Sequence, residues 1–67
     1  MSSVYPNIDS EMAKRNMHYR DLAKVAGTSD LQMYRRLRGL TNWKLVEAMK
    51  ICRFFEHPDV TILFQRG

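Results

Sequence analysis

Residues 19–39, YRDLAKVAGTSDLQMYRRLRG, constrain this chain more than any other stretch. Ser29 followed three positions later by Gln32 forms a capping-box pattern, so a helix is expected to begin at Ser29. Gly27, just before it, can take the positive φ that closes a preceding helix. Upstream, His18 with Asp21 three residues later is a weaker form of the same start signal. Met17 and Leu22 stand where a hydrophobic staple packs. The spacing therefore predicts a first helix over about residues 19–26, with Leu22, Ala23 and Ala26 on one face. Ala23 is small where another helix must pass close.

The second helix can be laid out at about 100° per residue. Met33 and Leu37 lie one turn apart and define its inner face. Leu31, Arg35 and Arg38 then fall on the opposite face, with Gln32 and Tyr34 on the flanks, and Gly39 ends the helix. Three arginines, Arg35, Arg36 and Arg38, thus lie within four positions of one short helix. Arginine donates a bidentate pair to guanine, glutamine pairs with adenine, and an apolar side chain meets a thymine methyl. These residue types on one exposed helical face suit the DNA major groove.

The flanking sequence is economical. Residues 1–6 form a short polar arm, expected to be mobile, and residues 7–67 a single domain. Pro6 and Asn7 open a helix, with Asn7 as its cap, Asp9 and Glu11 suited to its first turn, and Ile8 and Met12 facing inward. After a loop of Leu40, Thr41 and Asn42, Asn42 is expected to cap a longer helix from Trp43 to about Phe55. Leu45, Ala48, Met49, Cys52 and Phe55 recur along it at helical spacing and should fill the core. Met12, Met17, Met33 and Met49 all fall at inward positions, so core packing accounts for them better than a plastic binding surface does. Pro58 takes a favoured first helical position in a short last helix over residues 58–65. The β-branched run Val60, Thr61, Ile62 makes a terminal strand the alternative.

Sixty-seven residues, 45% of them hydrophobic, allow one thin core. The net charge of +4 and the pI near 9.6 favour a polyanionic partner, and the placement of the arginines says more than the total. No apolar run is long enough for a membrane span and no signal-peptide pattern is visible. The single cysteine, Cys52, excludes an internal disulfide and points to a reducing cytoplasm. Cys52 sits on an apolar face and reads as a small hydrophobe. His18 and His57 lie in different segments, and Asp9, Glu11 and Asp59 look like helix-start charges rather than an acid–base pair. Neither metal-ligand spacing nor a phosphate-cradling glycine loop occurs, so no enzyme, metal, cofactor or small-molecule ligand is expected.

Residues 8–64 resemble the lambda-repressor/Cro-like helix-turn-helix family, also called the XRE family, of the phage Cro/repressor type. The resemblance rests on Leu22 and Ala23 in the first motif helix, Gly27, Thr28 and Ser29 at the turn, Met33 in the recognition helix and Gly39 after it. Ile8 and Met12 match the apolar positions of that family's first helix, and residues 59–64 its last. Arg36 departs from the pattern, standing where the family is often apolar, with Leu37 taking over the packing role.

The resemblance implies a compact all-α domain of five helices, with a C-terminal strand as in some Cro proteins as the variant. It implies a sequence-specific regulator that covers a double-stranded DNA operator, in the cytoplasm of a bacterial or phage-infected cell. By family position, Asp30, Leu31, Gln32 and Arg35 would contact bases, with Tyr34 and Arg38 beside them. Asp30 would accept from cytosine N4 or merely complement the helix dipole. Tyr19, Arg20, Ser29, Arg36, Thr41, Asn42 and Lys44 would touch the sugar-phosphate backbone. Trp43 could lie against that backbone or belong to a partner interface. Family members usually pair on two half-sites, so a homodimer is expected at least on DNA. Ile62 is the candidate intersubunit contact, while Leu63 and Phe64 close the core. The competing reading is a protein-interaction module on the same fold, such as an antitoxin or antirepressor.

Overall fold

A computed structural model describes residues 2–67 and contains five helices, with no strand among the described residues. They are α1 (Pro6–Lys14), α2 (Tyr19–Ala26), α3 (Asp30–Leu37), α4 (Leu45–Phe54) and α5 (Val60–Leu63). Helix α2 is the hub, packed against both α3 and α4, and α5 closes the far side against α1 and α4. Ile8, Leu22, Met33, Leu37, Ile51 and Leu63 are fully enclosed, at least one from every helix. Removing each such side chain from water contributes about 1.5–3 kcal/mol. The all-α expectation holds, and the terminal strand does not form: Asp59 Oδ1 accepts from the backbone N–H of Thr61 at 2.9 Å and of Ile62 at 3.3 Å. That cap starts a helix despite the β-branched residues that follow.

The N-terminal residues depart from the mobile arm expected of them. Tyr5 is a core residue, only 4% exposed. The Val4 N–H donates to the Leu37 carbonyl at 3.0 Å, and the Gly67 N–H donates to the Val4 carbonyl at 3.0 Å. Residues 4 and 5 are therefore held between the end of α3 and the end of the chain, while Met1 lies outside the described residues. Tyr5, Trp43 and Phe64 meet edge to face, with ring centroids 4.9–6.1 Å apart. Each such pair is worth about 0.5–1.5 kcal/mol beyond its buried area. Trp43 thus belongs to an aromatic cluster rather than to the start of a helix, and it does not stand out as a backbone-stacking surface.

Five further expectations are corrected. Asn7 does not cap α1: Tyr5 takes the cap position with Pro6 at the first turn, and the Asn7 side-chain amide instead donates to the Ile62 carbonyl at 2.8 Å, tying α1 to α5. Glu11 lies beyond the first turn and pairs with Arg15 at 2.7 Å and Lys14 at 3.3 Å. Asn42 does not cap α4, which begins later, with Lys44 at the cap position. The inner face of α4 is also rolled. Glu47, Ala48 and Ile51 are buried, followed by Phe55, whereas Leu45 is 77% exposed, Met49 is exposed and Cys52 only half-buried. Finally, α5 is shorter than residues 58–65, and Pro58 precedes its cap residue instead of occupying its first position.

Candidate nucleic-acid interface

The motif is built locally. Gly27 ends α2 at φ 75°, ψ 34°, and the following Thr28 N–H donates to the Ala23 carbonyl at 3.0 Å. Such a left-handed residue reverses the chain at no steric cost only when it lacks a Cβ. Ser29 then starts α3, its Oγ accepting from the Gln32 N–H at 3.2 Å. At the head of α2, Asp21 Oδ2 accepts from the His18 N–H at 2.9 Å, which is the carboxylate half of the capping box. Ala23, fully enclosed on α2, gives α3 and α4 room to approach.

With Met33 and Leu37 wholly buried, the roll of α3 is set, and the opposite face points to solvent. Asp30, Leu31, Arg35 and Arg38 are exposed there, and Gln32 and Tyr34 are half-buried at its edges. Leu31 is an apolar side chain left 56% exposed on the same face as Arg35 and Arg38. Arg38 lies over the Tyr34 ring and donates to its hydroxyl at 2.8 Å. Tyr34 in turn meets the Tyr19 ring edge-on at 5.8 Å, linking α3 to the start of α2. Arg20 and Asp30 approach to 4.0 Å between exposed side chains, a contact of little energy but one that screens the Asp30 carboxylate. Tyr19, then Asp30, raise the Arg20 pKa above its ordinary value.

Arg36 is not on this surface. It is 6% exposed, its Nε donates to Glu47 Oε1 at 2.7 Å, and Glu47 is itself only 4% exposed. One Nη1 donates to Gln32 Oε1 at 2.9 Å and reaches toward Thr41 Oγ1 at 3.5 Å, the long limit of a hydrogen bond. The expectation that Arg36 touches the DNA backbone is therefore corrected: an arginine at an often apolar position is held inside by a carboxylate from α4. A lone buried guanidinium would cost several kcal/mol, so it is retained only with this partner. Glu47 is the residue that sequence reasoning missed. The available signal was the out-of-place Arg36, which needed a carboxylate from outside its own helix.

The remaining candidates flank the loop after α3. Ser29, Arg20, Asn42 and Lys44 are exposed, and Tyr19 and Thr41 half-buried. The Lys44 N–H is already taken by Glu47 Oε1 at 3.0 Å, so one amide at the head of α4 is occupied from within. Among the described residues no three or more His, Cys, Asp or Glu side chains gather as a metal site. Among the described residues no helix is long and apolar enough to cross a membrane.

Comparison with the curated proteins gives no match, and neither does comparison with the solved structures. The family described as the Cro/C1-type HTH DNA-binding domain does match, over residues 7–57, a span that takes in all of α1 but its first residue, the whole motif and α4. That span carries the capped turn, the enclosed inner face of α3 and its exposed basic outer face, and the chain belongs to this family of Cro/C1-type helix-turn-helix DNA-binding domains.

Proposed function

We propose that the chain is a sequence-specific regulator that acts by covering a double-stranded DNA operator with the outer face of α3. The observation that carries this reading is the contrast within α3: Met33 and Leu37 are wholly enclosed while Leu31, Arg35 and Arg38 stand exposed on the other side. Arg35 would read guanine, Leu31 a thymine methyl, and Gln32 and Asp30 neighbouring base edges. Tyr34 and Arg38, locked to each other, would serve as a unit at the rim of the groove. Ser29, Tyr19, Arg20, Thr41, Asn42 and Lys44 would fix register on the phosphates. Arg36 is left out of the contact set, since it is only 6% exposed and its Nε and Nη1 are engaged inside the fold.

A domain of this size makes few base contacts, so two copies would bind half-sites about one helical turn apart. Ile62, 47% exposed on α5, is the side chain proposed at the contact between copies. Bound in this way, the protein would act by excluding polymerase or another regulator from the operator.

The test is selection of duplexes from a random pool, followed by titration with salt and determination of stoichiometry. Three or four phosphate contacts per protomer imply a slope of log affinity against log salt of about −3 to −4, doubled for a pair. Arg35→Ala should blur preference at one base pair per half-site. Binding that is flat in salt, or a selected site unchanged by Arg35→Ala, would reject the reading. One protomer per site would reject the paired arrangement, and unchanged cooperativity in Ile62→Asp would move the contact elsewhere.

A further inference from the structure

We infer that Arg36 and Glu47 are positioning residues that hold the Gln32 amide with its NH2 toward DNA, so that Gln32 selects guanine over adenine. This rests on α3 being the recognition helix, as proposed above.

Arginine has five N–H donors and no acceptor. Arg36 Nη1 lies 2.9 Å from the Gln32 side chain, so the amide must turn its carbonyl oxygen toward Arg36. The reverse orientation would set N–H against N–H. Arg36 cannot swing away to permit a flip, because its Nε is fixed on Glu47 at 2.7 Å and both residues are enclosed. Glu47 is anchored in turn by the Lys44 N–H at 3.0 Å, which registers the clamp to the start of α4. The Gln32 side chain is thus not a free rotor on a surface helix. It is an amide whose acceptor end is drawn back into the fold.

The consequence concerns base choice. The bidentate glutamine–adenine pair needs the amide oxygen and the NH2 side by side on one base edge, accepting from N6 and donating to N7. With the oxygen held on Arg36, the NH2 is what remains for the groove. Guanine presents two acceptors there, N7 and O6, and no donor, so it suits an amide that offers only N–H groups. An unclamped glutamine on the same helix would regain the adenine pairing. The clamp can be removed as a pair, because a buried ion pair is often replaceable by apolar side chains of similar volume at little cost in stability.

The experiment compares base preferences selected from random duplexes by four proteins: the natural chain, Gln32→Ala, the double variant Arg36→Met with Glu47→Leu, and Arg36→Lys. The double variant removes both charges together and so leaves no unpaired ion. Arg36→Lys keeps the charge opposite Glu47 but replaces the fork with one nitrogen, and so provides a second route if the double variant does not fold. Thermal melting with circular dichroism establishes which variants are folded.

The expected result is a G·C preference at one base pair per half-site that disappears in Gln32→Ala. At that same base pair, preference should shift toward A·T by about tenfold in the double variant and in Arg36→Lys, with other positions unchanged. An A·T preference at the Gln32-dependent position of the natural chain overturns the inference. So does an unchanged G·C preference in a folded clamp variant, or a Gln32→Ala profile identical to that of the natural chain. In each of those cases Arg35-dependent selection would survive, and the recognition-helix reading with it. If the natural chain selects no sequence at all, that reading fails first and takes the inference with it.

Discussion

The α2–α3 motif and the α4–α5 half are of similar size, yet they are organised by different forces. In the motif, the boundaries of both helices follow from neighbours in sequence: Gly27 at positive φ, the Ser29 cap and the Asp21 carboxylate on His18. In α4 and α5 the boundaries and the roll follow from distant partners. Arg36 draws Glu47 inward, the aromatic cluster with Tyr5 and Phe64 keeps Trp43 out of the helix, and Asn7 is spent on the Ile62 carbonyl. Local hydrogen bonds close within a few residues and cost little chain entropy. Long-range contacts reward only a chain that is already nearly folded. A reader of sequence therefore sees the first kind and misjudges the second.

The sharpest way to break the comparison is at the ion pair that joins the two halves. Glu47→Leu strands the Arg36 guanidinium and should cost about 3–5 kcal/mol in urea denaturation, whereas adding Arg36→Met should restore most of it. A single variant as stable as the natural chain would mean that the halves are not coupled through this pair. Next comes the roll of α4. Ile51→Ala should cost about 2–5 kcal/mol because its side chain is fully enclosed. Leu45→Ala, at a side chain 77% exposed, should stay within about 0.5 kcal/mol. Equal losses would restore the inner face expected from periodicity.

Capping gives a smaller contrast. Ser29→Ala removes a hydrogen bond that starts α3 and should cost about 1 kcal/mol. Asn42→Ala should change the melting midpoint hardly at all, since Asn42 caps nothing. The smallest effect belongs to an exposed pair. The Arg15 hydrogen bond, then Lys14, holds the Glu11 carboxyl below its ordinary pKa. A lowered folded-state pKa stabilises above the unfolded value and is lost as pH falls through the folded one. Glu11→Gln should therefore slightly flatten the acid side of the stability profile, an effect that vanishes in high salt. A change confined to alkaline pH would contradict that sign.

The site divides along the same line. Leu31, Arg35 and Arg38 were legible as outward residues because Met33 and Leu37 set the roll of α3 within eight residues of chain. Arg36 was not, because whether an arginine beside that face turns out or in depends on Glu47, eleven positions away and on another helix. Tyr5 falls in a stretch that the sequence presents as a mobile arm, because nothing near it announces Trp43 and Phe64 as partners.

Local chemistry in the sequence determined the helical class, the turn at Gly27, the start of α3 at Ser29 and which face of α3 meets solvent. Glycine's φ, a side-chain cap and a 3.6-residue period each act within one or two turns of chain. Tertiary structure alone decided that Arg36 is buried, that Glu47 rather than Leu45 faces inward, and that Tyr5 completes the core. Those outcomes depend on where charges and rings from separate segments meet, and burial makes a charge acceptable only once its partner has arrived.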